Sequence, residues 1–394
     1  MFSNSEQQVI QLCQSLVQQP SYSGEEAGVV ELLKAFFQEE EFDDVQVDEY
    51  GNIYGVIIGK LPGKTILFDG HVDTVPIGDA EAWTYDPFGG DIIDNKIYGR
   101  GTTDMKGAIA AMACAAAKFA KETNRNFAGK IVVAGIVHEE CFEGIGARKM
   151  SEAVQPDLVV IGEASNLDLK IGQRGRGEVV IESFGIPAHS ANPKEGKNAV
   201  YAMSQIINAI RELEPTKHPV LGEGILELTD IKSSPYPGAS VVPSYCRATY
   251  DRRLLVGETK ESVLGPIEHV IECLAKEDEL IDAKVSFAYG EESCYTGAVI
   301  AGERFFPGWL MEADAPNVVK IQSALKKLGF SPSITYYNFC TNGSHYAGEA
   351  GIETIGLGPS VESLAHKTDE YIEVEQLLGA MSSYIGLMNV MLKE

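Results

Sequence analysis

Two kinds of hydrophobic spacing alternate along the chain. Over residues 6–18 and 24–39 apolar positions recur every three or four residues beside polar faces, which predicts two amphipathic helices. Ser23 stands ahead of the second, with Glu26 three residues on, the spacing of a capping box. Short apolar runs of strand length follow at 53–58, 65–68, 130–137 and 158–161, and an Ala-rich helix is predicted over 106–121. Strands alternating with helices predict an α/β domain with a mostly parallel central sheet flanked by helices. Such sheets build their sites at the carboxyl ends of the strands.

The pattern changes after Gly172. A Gly- and Arg-rich stretch, QRGRG, leads into a strand at 178–184, a helix at 199–213, strands at 224–231 and 247–251, a helix at 259–276 and a strand at 284–289. The order β, α, β, β, α, β is that of a small α+β, ferredoxin-like sandwich. From Ala315 the first alternation resumes, with segments at 318–328, 333–337, 353–357 and 374–391. The predicted organisation is one larger domain, residues 1–174 and 295–394, interrupted by a smaller domain at 175–294.

Composition narrows the class. A chain of 394 residues with 44% hydrophobic and 23% charged residues is globular and long enough for two or three domains. The formal net charge of −25 disfavours nucleic acid and anionic membrane surfaces as partners. The N-terminal segment lacks the basic and apolar regions of a signal peptide, and no apolar run reaches the roughly 20 residues that span a bilayer. Seven scattered cysteines without a CxxC pair argue against a disulfide framework or a thiolate metal site, so a reduced, cytoplasmic setting is expected.

Four apolar runs end in an acid or a histidine. The run 65–68 leads into Asp69, His71 and Asp73; 130–137 into His138, Glu139 and Glu140; 158–161 into Glu163; and 353–357 into a loop carrying His366. Asp104 closes the turn GRGTTD ahead of the Ala-rich helix. Each has an ordinary alternative: a core histidine for His71, a solvated turn for Glu139 and Glu140, a helix cap for Asp104. The His-x-Asp spacing lets the Asp hold one imidazole N–H, and adjacent glutamates in extended chain point opposite ways, one free to act as a base.

Taken together, GHVDTVP (70–76), GRGTTDMKG (99–107), HEE (138–140), IGEAS (161–165), AHSANP (188–193) and AHKTDEYI (365–372) resemble the M20 metallopeptidase family, which includes acetylornithine deacetylase, succinyl-diaminopimelate desuccinylase, carboxypeptidase G2 and peptidase T. The resemblance covers nearly the whole chain. It implies two divalent ions bridged by Asp104, one also held by His71 and Glu163 and the other by Glu140 and His366. The all-nitrogen-and-oxygen set suits Zn²⁺, with Co²⁺ or Mn²⁺ also fitting by ligand type. It further implies Asp73 as the residue orienting His71, Glu139 as general base, the inserted domain as lid and dimerisation unit, and a homodimer in which His189 stabilises the oxyanion across the subunit boundary. Arg253 in YDRRLLVGE would receive a substrate carboxylate, with neighbouring Arg252 its rival and an ion pair or a surface histidine the plainer readings of Arg253 and His189.

The chain departs from the family pattern at Ser240, where Asn is usual, at Val256, where Pro is usual, and at the loop CTNGSHY, where Asn342 and Gly343 are expected to offer donors to substrate. These positions bear on acyl specificity. The expected function is hydrolysis of an N-acyl amino acid, with a dipeptidase, aminopeptidase or carboxypeptidase as the alternative. A non-catalytic binding protein on the same fold is opposed by the intact Glu139, and no cysteine stands in a nucleophile setting. His138, His218, His269 and His345 are read as structural, His345 being the exception to watch because of its loop.

Overall fold

The structure is a computed structural model that describes residues 2–393. In chain order its main elements are α1 (Asn4–Val17), α2 (Ala27–Glu39), β1 (Asp44–Val47), β2 (Ile53–Ile58), β3 (Leu61–His71), α3 (Gly107–Thr123), β4 (Ala128–Ile136), α4 (Ile145–Val154), β5 (Leu158–Ile161) and β6 (Leu169–Gln173). There follow β7 (Gly175–Phe184), α5 (Ala199–Ile210), β8 (Ile225–Ser234), β9 (Tyr245–Leu254), α6 (Lys260–Glu277) and β10 (Ala283–Phe287). The chain closes with β11 (Trp309–Leu310), α7 (Pro316–Lys327), β12 (Ile334–Tyr337), β13 (Thr354–Gly356) and α8 (Val374–Leu392).

Two compact units result. One holds the chain up to Gln173, Glu291–Ala301 and everything from Leu310; the other holds Arg174–Gly290 and Gly302–Trp309. In place of the single return expected at residue 295, the chain returns twice, at Glu291 and, after a second excursion over Gly302–Trp309, at Leu310. The apolar pair Phe305–Phe306 draws the chain back, pairing with Gly177 and Arg176 of β7 while the Phe305 ring meets Phe287 edge-on at 5.0 Å.

In the first unit a nine-stranded sheet has the order β1-β2-β4-β3-β5-β13-β6-β11, with β12 beside β6. Its centre, β4-β3-β5-β13, is parallel, and antiparallel pairs flank it at β1-β2, β2-β4 and β13-β6. The sheet is thus mixed, with the parallel part where the site residues emerge. Strand β4 is buried on both faces along most of its length, as a central parallel strand must be. Helix α3 presents Ala108, Ala111, Ala115 and other small buried side chains, which let it lie close to its neighbours.

One local expectation fails. Ser23 and Glu26 form no capping box: α2 starts at Ala27, its N-cap position is Glu26, and no side chain caps it. Gly24 at φ 90° turns the chain before the helix begins, taking Ser23 out of capping register. A capping box does form at α1, between Ser3 and Glu6.

The second unit has the sheet order β8-β9-β7-β10, all antiparallel, with Phe305–Phe306 beside β7. Val179, Ile181, Met203, Ile206, Ile267 and Ile271 form its core between the sheet and helices α5 and α6. Strand β8 is an edge strand, largely exposed, with Ile225 and Ile231 open to solvent.

Candidate active site

Register decides which side chains meet. His71 pairs with Ile136 across β3 and β4, and Asp69 with Ile161 across β3 and β5, so the residues that follow these strands leave the sheet at one edge. His71 is buried there. Its Nδ1 lies 2.9 Å from the Asp73 carbonyl oxygen, which as an acceptor fixes the proton on that nitrogen and leaves Nε2 facing the site.

Asp104 lies between two histidines. Its Oδ1 is 2.8 Å from His71 Nε2, and its Oδ2 is 3.0 Å from His366 Nε2. Glu163 Oε1 stands 3.4 Å from His71 Nε2, and Glu140 Oε2 stands 3.1 Å from His366 Nε2. These contacts bring His71, Asp104, Glu140, Glu163 and His366 together, with Asp104 between the two histidines. His366 is exposed, whereas His71 and Glu163 are buried. Glu139 is buried beside His71 and Glu163, and its Oε1 has no hydrogen-bond partner.

Asp104 is not a helix cap. Its backbone is non-helical at φ −128°, ψ 88°, and α3 begins only at Gly107. The loop is held from beneath by Glu370, which sequence reading passed over. Glu370 Oε1 accepts the N–H of Gly101, Thr103 and Asp104 at 3.1, 2.8 and 3.1 Å, and its Oε2 meets Arg100 Nη1 at 2.6 Å. The signal was present in AHKTDEYI, four residues beyond His366, but nothing local shows where that carboxylate goes.

The electrostatics match a cation site. Five largely buried carboxylates, Asp73, Asp104, Glu139, Glu140 and Glu163, face two imidazoles. Burial and the neighbouring Asp104 push Glu140 up to about 7, and burial holds Glu139 well above the usual carboxylate range. Burial also raises Glu163. Hydrogen bonds to Asp104 and Glu140 lift His366 to about 10. For His71 burial works in the opposite direction, but Asp104, Asp73 and Glu163 still hold it well above its ordinary value. The imidazole and carboxylate donors fit borderline divalent cations such as Zn²⁺.

A family model described as "Peptidase family M20/M25/M40" matches residues 67–389. The chain belongs to this family. It is 33% identical to the YgeY protein of Escherichia coli K12 over 93% of this chain and 90% of the relative. It is 30% identical to a succinyl-diaminopimelate desuccinylase of Cereibacter sphaeroides, over 93% and 94% of the two chains. Among solved structures, the aminopeptidase PepT of Bacillus cereus has the same fold, with TM-score 0.75, 21% identity and 98% of each chain covered. This M20 chain is a metal-dependent amide hydrolase.

Three expectations for the M20 site change in detail. The Asp73 carboxylate is 3.6 Å from His71 Nδ1, farther than its own main-chain carbonyl. It instead accepts the N–H of Glu139 at 3.0 Å and of Glu140 at 3.2 Å, with the Ser23 hydroxyl donating at 2.7 Å. Asn342 and Gly343, expected to face substrate, are turned inward. Asn342 Nδ2 donates to Asp69 at 3.0 Å, its Oδ1 accepts Gly144 N–H at 3.0 Å, and Gly343 N–H donates to Thr341 Oγ1 at 3.0 Å. The reason is buried Asp69, raised by desolvation to about 6, which recruits Asn342 and the Tyr346 hydroxyl, the latter at 2.8 Å. His345 also proves structural, lying between Ser151 at 2.7 Å and Glu349 at 2.8 Å.

His189 and Arg253 belong to the second unit. His189 is exposed, and its Nδ1 accepts Ala191 N–H at 3.0 Å, so a neutral ring carries its proton on Nε2. Arg252 is buried and committed to Glu258, Thr216 and the Ile225 carbonyl. Arg253 is partly exposed and pairs with Asp251 at 2.9 Å.

Proposed function

We propose that the chain hydrolyses the amide of an N-acyl amino acid, using two divalent ions, Zn²⁺ by preference, at His71, Asp104, Glu140, Glu163 and His366. The observation carrying this reading is Asp104, with one oxygen toward each histidine. Ions held there would polarise the scissile carbonyl and acidify the attacking water. Glu139, buried beside the ligands with an unpartnered oxygen, takes the proton from that water and returns it to the leaving amine. His189 offers Nε2–H to the oxyanion of the tetrahedral intermediate, and Arg253 receives the substrate carboxylate.

The acyl amino acid is preferred to a short peptide because a relative 30% identical is named a desuccinylase. A homodimer, with His189 serving the partner's site, is supported by the open edge of β8 and its exposed Ile225 and Ile231. A cytoplasmic setting agrees with seven cysteines, none in a disulfide, and with the absence, among the described residues, of any helix long and apolar enough to cross a membrane. A hydrolysis screen of N-acetyl, N-succinyl and N-carbamoyl amino acids beside dipeptides, with chelator and metal add-back, tests the reading. Metal-restored cleavage of acyl amino acids is expected. Cleavage of dipeptides alone replaces the substrate class, and activity indifferent to chelator ends the two-metal mechanism.

A further inference from the structure

Ser23 and Glu26 cap no helix, and both are committed elsewhere. Residues 21–26 run beside the end of β3. Thr74 N–H donates to the Ser21 carbonyl at 2.8 Å, the Ser21 hydroxyl donates to the Val72 carbonyl at 2.7 Å, and Tyr22 forms an isolated parallel bridge with Thr74. Past this short ladder the chain turns at Gly24, whose N–H donates to Glu26 Oε1 at 2.9 Å. A side chain at Gly24 would be strained at φ 90° and would meet the Ser293 carbonyl at 3.0 Å.

The turn directs two side chains to one target. Ser23 Oγ donates to Asp73 Oδ2, the carboxylate that accepts the amides of Glu139 and Glu140. Glu26 is fully buried, and its Oε1 accepts the amide of His138 at 3.3 Å. Three consecutive amides, those of His138, Glu139 and Glu140, are therefore held by two carboxylates. One carboxylate belongs to residues 21–26 and the other is fastened by them.

We propose that residues 21–26 position the general base: Ser23 acting through Asp73, and Glu26 through the His138 amide, fix the turn from which Glu139 and Glu140 diverge. The proposal rests on the hydrolase reading above for the role of Glu139. Neither Ser23 nor Glu26 touches the reacting atoms; both are positioning residues. A hydroxyl has one proton to give, and Ser23 gives it to Asp73. Without it the Asp73 carboxylate keeps its amide donors but loses the contact that sets its rotation, and the Glu139 turn loosens with it. Misplacement of a catalytic group by about 1 Å is enough to lower a rate by about a hundredfold, and loss of an outer partner typically lowers activity by about ten- to a hundredfold.

The test compares Ser23→Ala and Ser23→Thr with the wild-type protein. In metal-loaded Ser23→Ala we expect kcat to fall about tenfold, with KM within about twofold and the metal complement and unfolding midpoint retained. In the metal-free protein, amide hydrogen exchange across residues 138–142 is expected to accelerate. Ser23→Thr, which keeps the hydroxyl, restores both. Unchanged exchange in Ser23→Ala, wild-type kcat, or a defect that Thr does not rescue overturns the brace. The exchange measurement needs no turnover: if wild-type protein cleaves no amide yet exchange responds, the hydrolase reading fails while the brace stands.

Discussion

Glu139 and Glu140 are chain neighbours whose carboxylates serve different surroundings. Glu140 Oε1 and Oε2 lie 3.2 and 3.1 Å from His366 Nε2, while Glu139 is buried toward His71 and Glu163 with Oε1 unpartnered. In the proposed mechanism this divergence separates a ligand, Glu140, from a base, Glu139. Glu139→Gln keeps the shape and removes the basic oxygen, so turnover is expected to fall by about 10²- to 10⁴-fold with full metal content. Steady-state kinetics paired with metal analysis checks this; near-normal hydrolysis removes Glu139 from the mechanism.

In the proposed site Asp104 is common to both ligand sets, whereas His366 belongs to one. Asp104→Asn is therefore expected to weaken both ions, and His366→Ala chiefly one. Elemental analysis after dialysis against limiting metal should give below one ion per chain for Asp104→Asn and about one for His366→Ala, since loss of a ligand outweighs the loss of an outer partner. Equal, full stoichiometry in both variants contradicts the shared-carboxylate arrangement.

His189 tests the proposed dimer. If it serves the partner's site, subunits carrying His189→Ala mixed with subunits carrying Glu139→Ala should regain part of the activity that each lacks alone. Half of the sites in a heterodimer would then hold an intact Glu139 and an intact His189. Exchange under mild denaturant followed by assay reads the outcome, and inactive heterodimers of verified composition count against a shared site.

The ends of β3, β4 and β5 were legible because each apolar run stops at His71, Glu139–Glu140 or Glu163, and parallel packing brings such ends together. What was hidden depends on distant partners. The Ser23-x-x-Glu26 spacing is a sound local signal for a cap, yet Asp73, fifty residues on, takes the hydroxyl. Glu370 reaches the Asp104 amide from 266 residues away. Asn342 and Gly343 sit in a loop that reads as substrate-facing until buried Asp69 is seen to need their neighbourhood. Helix α4 escaped notice because its buried face is only Ile145, Gly146, Ala147 and Met150, too short a stripe to establish a period.

Tyr346 and Asp69 give a stability prediction. Both are buried, and the tyrosine hydroxyl is one of two side-chain donors to that carboxylate. Tyr346→Phe leaves the ring in place but strips Asp69 of a donor, which is expected to destabilise the fold by about 1–3 kcal/mol. Denaturant unfolding measures it. In an Asp69→Asn background the same change should be smaller, because the charge that needed the donor is gone.

Glu349 sets an acid limit on stability that lies apart from the proposed metal ligands. Burial alone would raise its pKa, but the His345 ring and the two-pronged Arg148 contact, at 2.9 and 2.6 Å, outweigh it and hold the carboxyl at about 2. The folded value is below the ordinary 4.5, so the ionised form is favoured by folding. Its stabilising contribution is fully present above about pH 4.5 and is lost as pH falls from there toward about 2. Glu349→Gln should therefore lower the urea midpoint at pH 7, with the gap from wild type narrowing as the pH is taken below 4.5. Midpoints for both proteins across this range decide the matter: a gap that stays constant or widens on acidification would show that Glu349 is not held in its ionised form by Arg148 and His345.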